Sequence, residues 1–143
     1  MSFSLDMSAF AKKAGTVAEE NVRKTATSLF IAVMEDTPRD LGRAQGAWQM
    51  SIDAPTVTSP INIRSASEVK AEVATNALKW KAGQTLWFCN NLAYINTLEF
   101  GLYPWENSAG VVNGFSKKAP EGFVRLNVMR FQTFINQATR TLS

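Results

Sequence analysis

The sequence predicts an α+β fold in a single domain that spans residues 1–143. Apolar residues recur every three or four positions over residues 8–36, which is the spacing of an amphipathic helix. Residues 47–53 alternate apolar and polar side chains, as a half-buried strand does, and residues 85–90 form a buried apolar run. We therefore expect a long N-terminal helix, a small mostly antiparallel or mixed sheet, a central helix and a long C-terminal helix packed on the sheet.

The N-terminal helix is predicted over residues 8–36. Its apolar positions run from Phe10 to Val33, and Thr37-Pro38 ends it because a proline disfavours helical backbone in the residue before it. At about 1.5 Å per residue this helix is roughly 43 Å long, whereas a domain of this length is somewhat under about 40 Å across. Either the helix bends or one end packs on something else, such as a neighbouring subunit, unless its start near Met7 is frayed.

Residues 66–80 are compatible with a helix and with a strand. Ser65 followed by Glu68 is a capping-box pattern that predicts a helix start. Residues 69–73 also alternate, as a strand does, but the apolar stripe continues at helical spacing to Trp80. This continuation favours the central helix.

A shorter helix is expected over residues 92–100, after a turn at Asn90-Asn91 and before Gly101. Residues 101–119 have no periodic pattern and are expected to form an extended loop. The last helix is predicted over residues 120–142, because Pro120 suits the first helical position.

The long loop carries aromatic and apolar side chains that need to be buried. Tyr103, Trp105 and Phe115 are the aromatic residues between Gly101 and Ala119. They pack either on the core of this chain or on a partner, where Trp and Tyr are the usual anchors. The two interpretations stay open at this point.

The composition argues against most enzymes. The chain has no histidine and one cysteine, Cys89, so histidine-based catalytic groups, the common histidine metal sites and an internal disulfide are excluded. No apolar run approaches the roughly 18 residues of a membrane helix, and the N-terminal residues do not resemble a signal peptide. We expect no catalytic residues, no cofactor, no metal and no membrane partner.

The net charge of +3 is concentrated in the C-terminal segment. After residue 116 the chain has one acidic residue, Glu121, and five basic residues: Lys117, Lys118, Arg125, Arg130 and Arg140. The segment is either a solvated face or a surface that faces a polyanion or an acidic partner.

Three short segments resemble, in order, segments of the tail-completion or head–tail connector (neck) family of long-tailed bacteriophages. The first is Thr37-Pro-Arg-Asp-Leu-Gly-Arg43 with Gly46-Ala-Trp48. The second is Asn90-Asn-Leu-Ala-Tyr94 with Leu98-Glu-Phe-Gly101. The third is Ser116-Lys-Lys-Ala-Pro-Glu-Gly-Phe-Val-Arg125, which opens the last helix in that family.

The resemblance implies a structural virion protein that assembles in the host cytoplasm. Members of the family form a ring of identical subunits, usually a hexamer, at the junction of tail and head. The ring completes the tail, contacts neighbouring tail-tube or terminator proteins and head-connector proteins, and lets genomic DNA pass through its lumen without sequence-specific binding. The expected location is therefore the neck or tail of the virion.

The resemblance gives one group of residues, and the residue pattern of the loop and the basic segment gives a second. The first contains motif residues with structural roles: Arg43, Trp48, Asn91, Tyr94, Glu99, Gly101, Pro120 and Arg125. The second contains candidate interface residues in the loop and the basic segment: Tyr103, Trp105, Phe115, Lys117 and Lys118. We further expect Glu99 to pair with Arg43, Arg125 or both, the alternative being that each is solvated.

Two other functions fit the sequence less well. One is a tail-terminator or head-closure protein of the same junction, which differs only in its position in the virion. The other is a small nucleic-acid-binding protein that uses the basic C-terminal helix, for which affinity would fall steeply with salt.

Overall fold

A computed structural model describes residues 2–5, 16–39, 42–103, 107–108 and 110–142 of the chain. The fold is a mixed α+β domain whose described part contains six helices and two small antiparallel sheets. The helices are α1 (Thr16–Asp36), α2 (Arg43–Gly46), α3 (Ala66–Lys79), α4 (Ile95–Phe100), α5 (Val124–Met129) and α6 (Phe131–Leu142). The strands are β1 (Ser2–Leu5), β2 (Trp48–Ile52), β3 (Leu86–Asn90), β4 (Asn107–Ser108), β5 (Val111–Val112) and β6 (Phe115–Ser116). Over these residues no helix combines the length and the apolar character needed to cross a membrane.

Helix α1 supplies much of the core. Its buried residues include Val22, Leu29 and Val33, which share the apolar stripe predicted for this helix. The helix ends at Asp36, where the Thr37 hydroxyl donates to the Val33 carbonyl oxygen at 2.7 Å. Residues 8–15 of the predicted helix lie outside the described residues.

The larger sheet is antiparallel, with strand order β1-β3-β2. Trp48 is opposite Asn90 and Met50 is opposite Phe88, so these side chains share the face that packs on the helices. The Phe88 ring stacks between Phe30 and Trp48, with centroids 4.6 Å apart on each side. This aromatic stack ties the centre of the sheet to α1.

Residues 66–80 are a helix from Ala66 to Lys79, and the strand alternative is wrong. The Ser65 hydroxyl accepts from Glu68 N at 3.2 Å, and the Glu68 carboxylate accepts from Ser65 N at 2.7 Å. The predicted capping box is thus complete. The helix buries Val69 and Val73 against the core.

The outer edge of β2 is occupied by side chains of α3 and by Arg64, which precedes the N-cap Ser65. Asp53 N donates to Thr85 O, so the main-chain groups of Asp53 face β3. Main-chain groups face alternate edges along a strand, so those of Met50, an odd number of positions away, point away from β3. Met50 N donates to Glu72 at 2.7 Å, and Met50 O accepts from Asn76 at 2.9 Å. Arg64 donates to Trp48 O and contacts the Glu72 carboxylate at 2.5 Å.

The prediction of an irregular loop over residues 101–119 is wrong in part. Strands β4, β5 and β6 form a second antiparallel sheet of short strands within this range. Two-residue strands are too short to show a periodic pattern, so the sequence carries no alternation to detect. Glycines at Gly110 and Gly114, both with positive φ, provide the turns.

The prediction of one continuous helix over residues 120–142 is also wrong. The helical residues begin at Val124, because Gly122 has φ 87° and the chain turns there before entering α5. The helix breaks at Arg130, whose N–H donates to Asn127 O at 3.0 Å in a tighter turn. The Asn127 side chain donates to Phe123 O at 2.6 Å and to Asp36 at 2.9 Å, which fixes α5 against the end of α1.

Candidate functional site

The second and third motif segments meet at the buried carboxylate of Glu99. This residue is on α4 and its side chain is fully buried. Its oxygens accept from the main-chain N–H groups of Phe123 at 2.7 Å, Val124 at 2.9 Å and Arg125 at 2.9 Å. These are N–H groups at the start of α5, which lack partners within the helix. Glu99 therefore caps α5 from another part of the chain.

The same carboxylate pairs with the side chain of Arg125. Arg125 Nε lies 2.9 Å from Glu99 Oε1, and Arg125 Nη2 donates to the Glu99 carbonyl oxygen at 2.8 Å. The guanidinium also lies over the Phe100 ring, 4.7 Å from its centroid. Arg125 thus contacts the side chain and the main chain of α4 at once, while half of its own side chain stays exposed.

Gly122 makes this close approach possible. A Cβ atom at Gly122 would lie 2.8 Å from the Glu99 carbonyl oxygen and 3.0 Å from its carboxylate. Its φ of 87° is also unfavourable for any residue with a side chain. The position of Glu99 in the second motif segment therefore requires a glycine at position 122 in the third.

The first motif segment contacts both of the others. Asn90 is buried and donates to Ala44 O at 2.8 Å, which joins the second segment to the first. Trp48 lies edge-on to Phe123 with centroids 6.4 Å apart, which joins the first to the third. Within the first segment, Trp48 Nε1 donates to the Thr37 hydroxyl at 2.8 Å. All three segments thus belong to one packed cluster.

Arg43 does not share the Glu99 site. It begins helix α2 and is exposed, and the ion pair that the structure describes at Glu99 is with Arg125. The expectation that Glu99 pairs with one or both arginines is therefore met by Arg125, within the described part of the chain.

The other predicted structural residues lie near this cluster. Asn91 donates to Thr56 O at 3.0 Å, and Gly101 ends α4 in the left-handed conformation. Tyr94 is partly exposed at the start of α4, and Pro120 is exposed in the turn before α5.

The candidate interface residues divide between the interior and the surface. Tyr103 is half-buried against the core, and the Phe115 ring lies against Gly101, where a Cβ atom would be 2.4 Å from it. Lys117 and Lys118 are exposed, and the Lys118 ammonium donates to Arg39 O. Trp105 lies outside the described residues.

Sequence reasoning missed an exposed apolar surface in the segment between β2 and α3. Val57, Ile61 and Ile63 are all exposed there. The available signal was the absence of any charged residue between Asp53 and Arg64. No periodicity accompanies it, so the residue pattern alone does not predict an interaction surface there.

The arrangement around Glu99 holds α4 and the start of α5 together. The Glu99 carboxylate is used by four N–H donors and is closed to solvent. Among the described residues, no group of three or more histidine, cysteine, aspartate or glutamate side chains could hold a metal ion.

Comparison of the chain with protein-family models, with curated proteins and with solved structures gives no match.

Proposed function

We propose that this protein is a structural component of the neck of a long-tailed bacteriophage. In this role it assembles with copies of itself into a ring, completes the tail and joins it to the head. The role needs no catalysis and no cofactor. The virion is its place of action, after assembly in the host cytoplasm.

The observation that carries the proposal is the convergence of the three motif segments. They are separated by tens of residues, yet Asn90 contacts Ala44, Glu99 contacts Arg125 and Trp48 contacts Phe123. Motif residues that define one architecture are expected to pack on one another. Their contacts support a shared architecture and, through it, the role that the resemblance implies.

The placement of the basic residues supports a position next to DNA. Lys117, Lys118 and Arg130 are exposed, whereas the charge of Arg125 is compensated by Glu99. Exposed cations attract a polyanion through their charge, without reading bases. In the proposed ring these residues belong near the lumen through which genomic DNA passes.

The proposal is tested by inactivating the gene in the phage genome that encodes the chain and imaging the particles. We expect filled heads and finished tails that stay separate, and joined particles when the wild-type protein is supplied from a plasmid. Joined particles without the protein would contradict the proposal. Tails of abnormal length would instead assign the protein to tail termination.

Charge reversal provides a matched pair of variants for the same assay. Glu99→Lys removes the cap of α5 and the Arg125 partner, so we expect it not to restore joined particles. Glu121→Lys reverses an exposed carboxylate in the third motif segment and should restore them. Equal rescue by both variants would show that the Glu99 cluster is not needed for the function.

A further inference from the structure

The segment between β2 and α3 presents an uncharged apolar surface. Residues 54–63, which we call the apolar loop, contain no charged side chain. Val57, Ile61 and Ile63 are 83%, 98% and 56% exposed. Single exposed aliphatic residues are ordinary, but three on one uncharged loop are a surface suited to contact with another protein.

Hydrogen bonds hold the apolar loop in place. Thr58 O accepts from Gln49 at 2.6 Å and from Asn91 at 3.4 Å. At the end of the loop, Arg64 donates to Gly46 O at 3.0 Å. A loop fixed in this way loses little conformational entropy when it docks, which favours binding.

A groove with an apolar floor lies between α1 and α3, bordered by Gln137 of α6. It has a volume of about 410 Å³, and Ala74, Ala77 and Leu78 line it. Leu78 is 77% exposed although it is aliphatic. Since an apolar cavity of about 150 Å³ holds one benzene molecule, this groove has room for more than one aliphatic side chain.

The apolar loop and the α1–α3 groove lie at opposite ends of α3. Ile63 precedes the N-cap Ser65, and Leu78 is the penultimate residue of this 14-residue helix. At about 1.5 Å per residue the two surfaces are roughly 20 Å apart along the helix axis. Head-to-tail contacts between identical subunits require two different surfaces on each copy.

We infer that the apolar loop of one copy docks into the α1–α3 groove of a second copy, an inference that rests on the proposed ring. The occupant is a second copy because one chain carries both an uncharged apolar projection and an apolar groove. The loop is uncharged, so it brings no like charge next to Glu20, Arg23 or Lys24, which border the groove. Each copy then keeps one free loop and one free groove, so the contact repeats until the ring closes.

Two variants that each remove one surface test this contact. Ile61→Asp removes the projection and Leu78→Asp removes the floor of the groove, and both positions are exposed, so each variant should fold. We expect wild-type protein to form oligomers and each variant alone to be monomeric by light scattering. Met129→Asp is the matched control: it is 82% exposed, lies outside both surfaces and should keep the wild-type mass.

An equimolar mixture of the two variants gives the sharper result. The loop of Leu78→Asp can enter the groove of Ile61→Asp, whereas the reverse contact has lost both of its apolar partners. The mixture should therefore form one heterodimer and nothing larger. Assembly of the single variants like wild type, or a mixture that stays monomeric while wild-type protein forms oligomers, would overturn the inference.

Cross-linking captures the same contact if it forms only weakly in solution. Ile61→Cys and Leu78→Cys are mixed and treated with a short bis-maleimide, and the native Cys89 is buried and does not react. Random pairing of an equimolar mixture already yields twice as much heterodimer as either homodimer. A heterodimer yield well above that ratio supports the contact, and the random ratio overturns it.

Gene inactivation separates a failure of this contact from a failure of the proposed function. Joined particles in the absence of the protein would overturn the function. Unjoined particles that are rescued by Ile61→Asp as well as by wild type would overturn the contact and leave the function standing.

Discussion

Glu99 and Arg125 form an ion pair in which the carboxylate is fully buried and the guanidinium is half exposed. The carboxylate also accepts from the N–H groups at the start of α5, so it stabilises the helix end and the arginine together. The two partners are therefore unequal. Loss of Glu99 leaves several buried donors without an acceptor, whereas loss of Arg125 leaves a carboxylate that keeps its main-chain donors.

Glu99→Gln should lower the free energy of unfolding by about 1–3 kcal/mol, because the amide accepts fewer hydrogen bonds than a carboxylate and carries no charge. Urea unfolding monitored by tryptophan fluorescence measures this change. Glu121→Gln alters an exposed carboxylate of the third motif segment and should change stability by less than about 0.5 kcal/mol. Equal effects of the two substitutions would contradict the role given to Glu99.

Arg125→Lys should be less destabilising than Glu99→Gln, at roughly 0.5–1 kcal/mol. A lysine keeps the charge but has no planar fork to reach both the Glu99 carboxylate and its carbonyl oxygen. The same urea titration ranks the two variants. A larger effect for Arg125→Lys would show that the exposed half of this pair carries more of the stability than its geometry indicates.

Trp48 and Thr37 should be energetically coupled. Trp48→Phe removes the indole N–H that donates to the Thr37 hydroxyl, and Thr37→Val removes the acceptor. Each single substitution should cost about 1–2 kcal/mol, and the double variant should cost about 1 kcal/mol less than their sum. An additive double variant would indicate that this hydrogen bond does not contribute to folding.

Glu72 should protect the main chain at the edge of β2. Glu72→Ala removes the acceptor of Met50 N and the partner of Arg64, so amide hydrogen exchange at Met50 should accelerate. Glu72→Gln keeps an acceptor oxygen and should retain more of the protection. Unchanged exchange at Met50 in Glu72→Ala would mean that the amide is protected by other means.

Local signals predicted the elements whose stabilising contacts are close in sequence. The capping box of Ser65 and Glu68 identified α3, and the alternation over residues 47–53 identified β2. Strand β1 was not predicted, because a four-residue strand depends on pairing with β3, more than 80 positions away. The position of α5 depends in turn on Asn127, whose side chain binds Asp36 on a helix that is distant in sequence.

The candidate site shows the same division. The charge and type of Glu99, Arg43 and Arg125 predicted an ion pair, but only the packing of α4 against residues 122–125 decides which arginine takes part. The need for glycine at position 122 likewise follows from the position of Glu99, not from the residues next to it. Spacing along the chain holds no information on either point.

The side chains on the edge of β2 also limit how copies of this protein can join. Arg64, Glu72 and Asn76 occupy the main-chain groups that an incoming strand would need. Growth of this sheet from copy to copy could proceed only at β1, and two copies joined there would have no further edge to offer. Continuous growth of this sheet from copy to copy is thereby closed. A larger assembly that leaves this sheet intact must use other surfaces, whose geometry can fix a finite number of subunits.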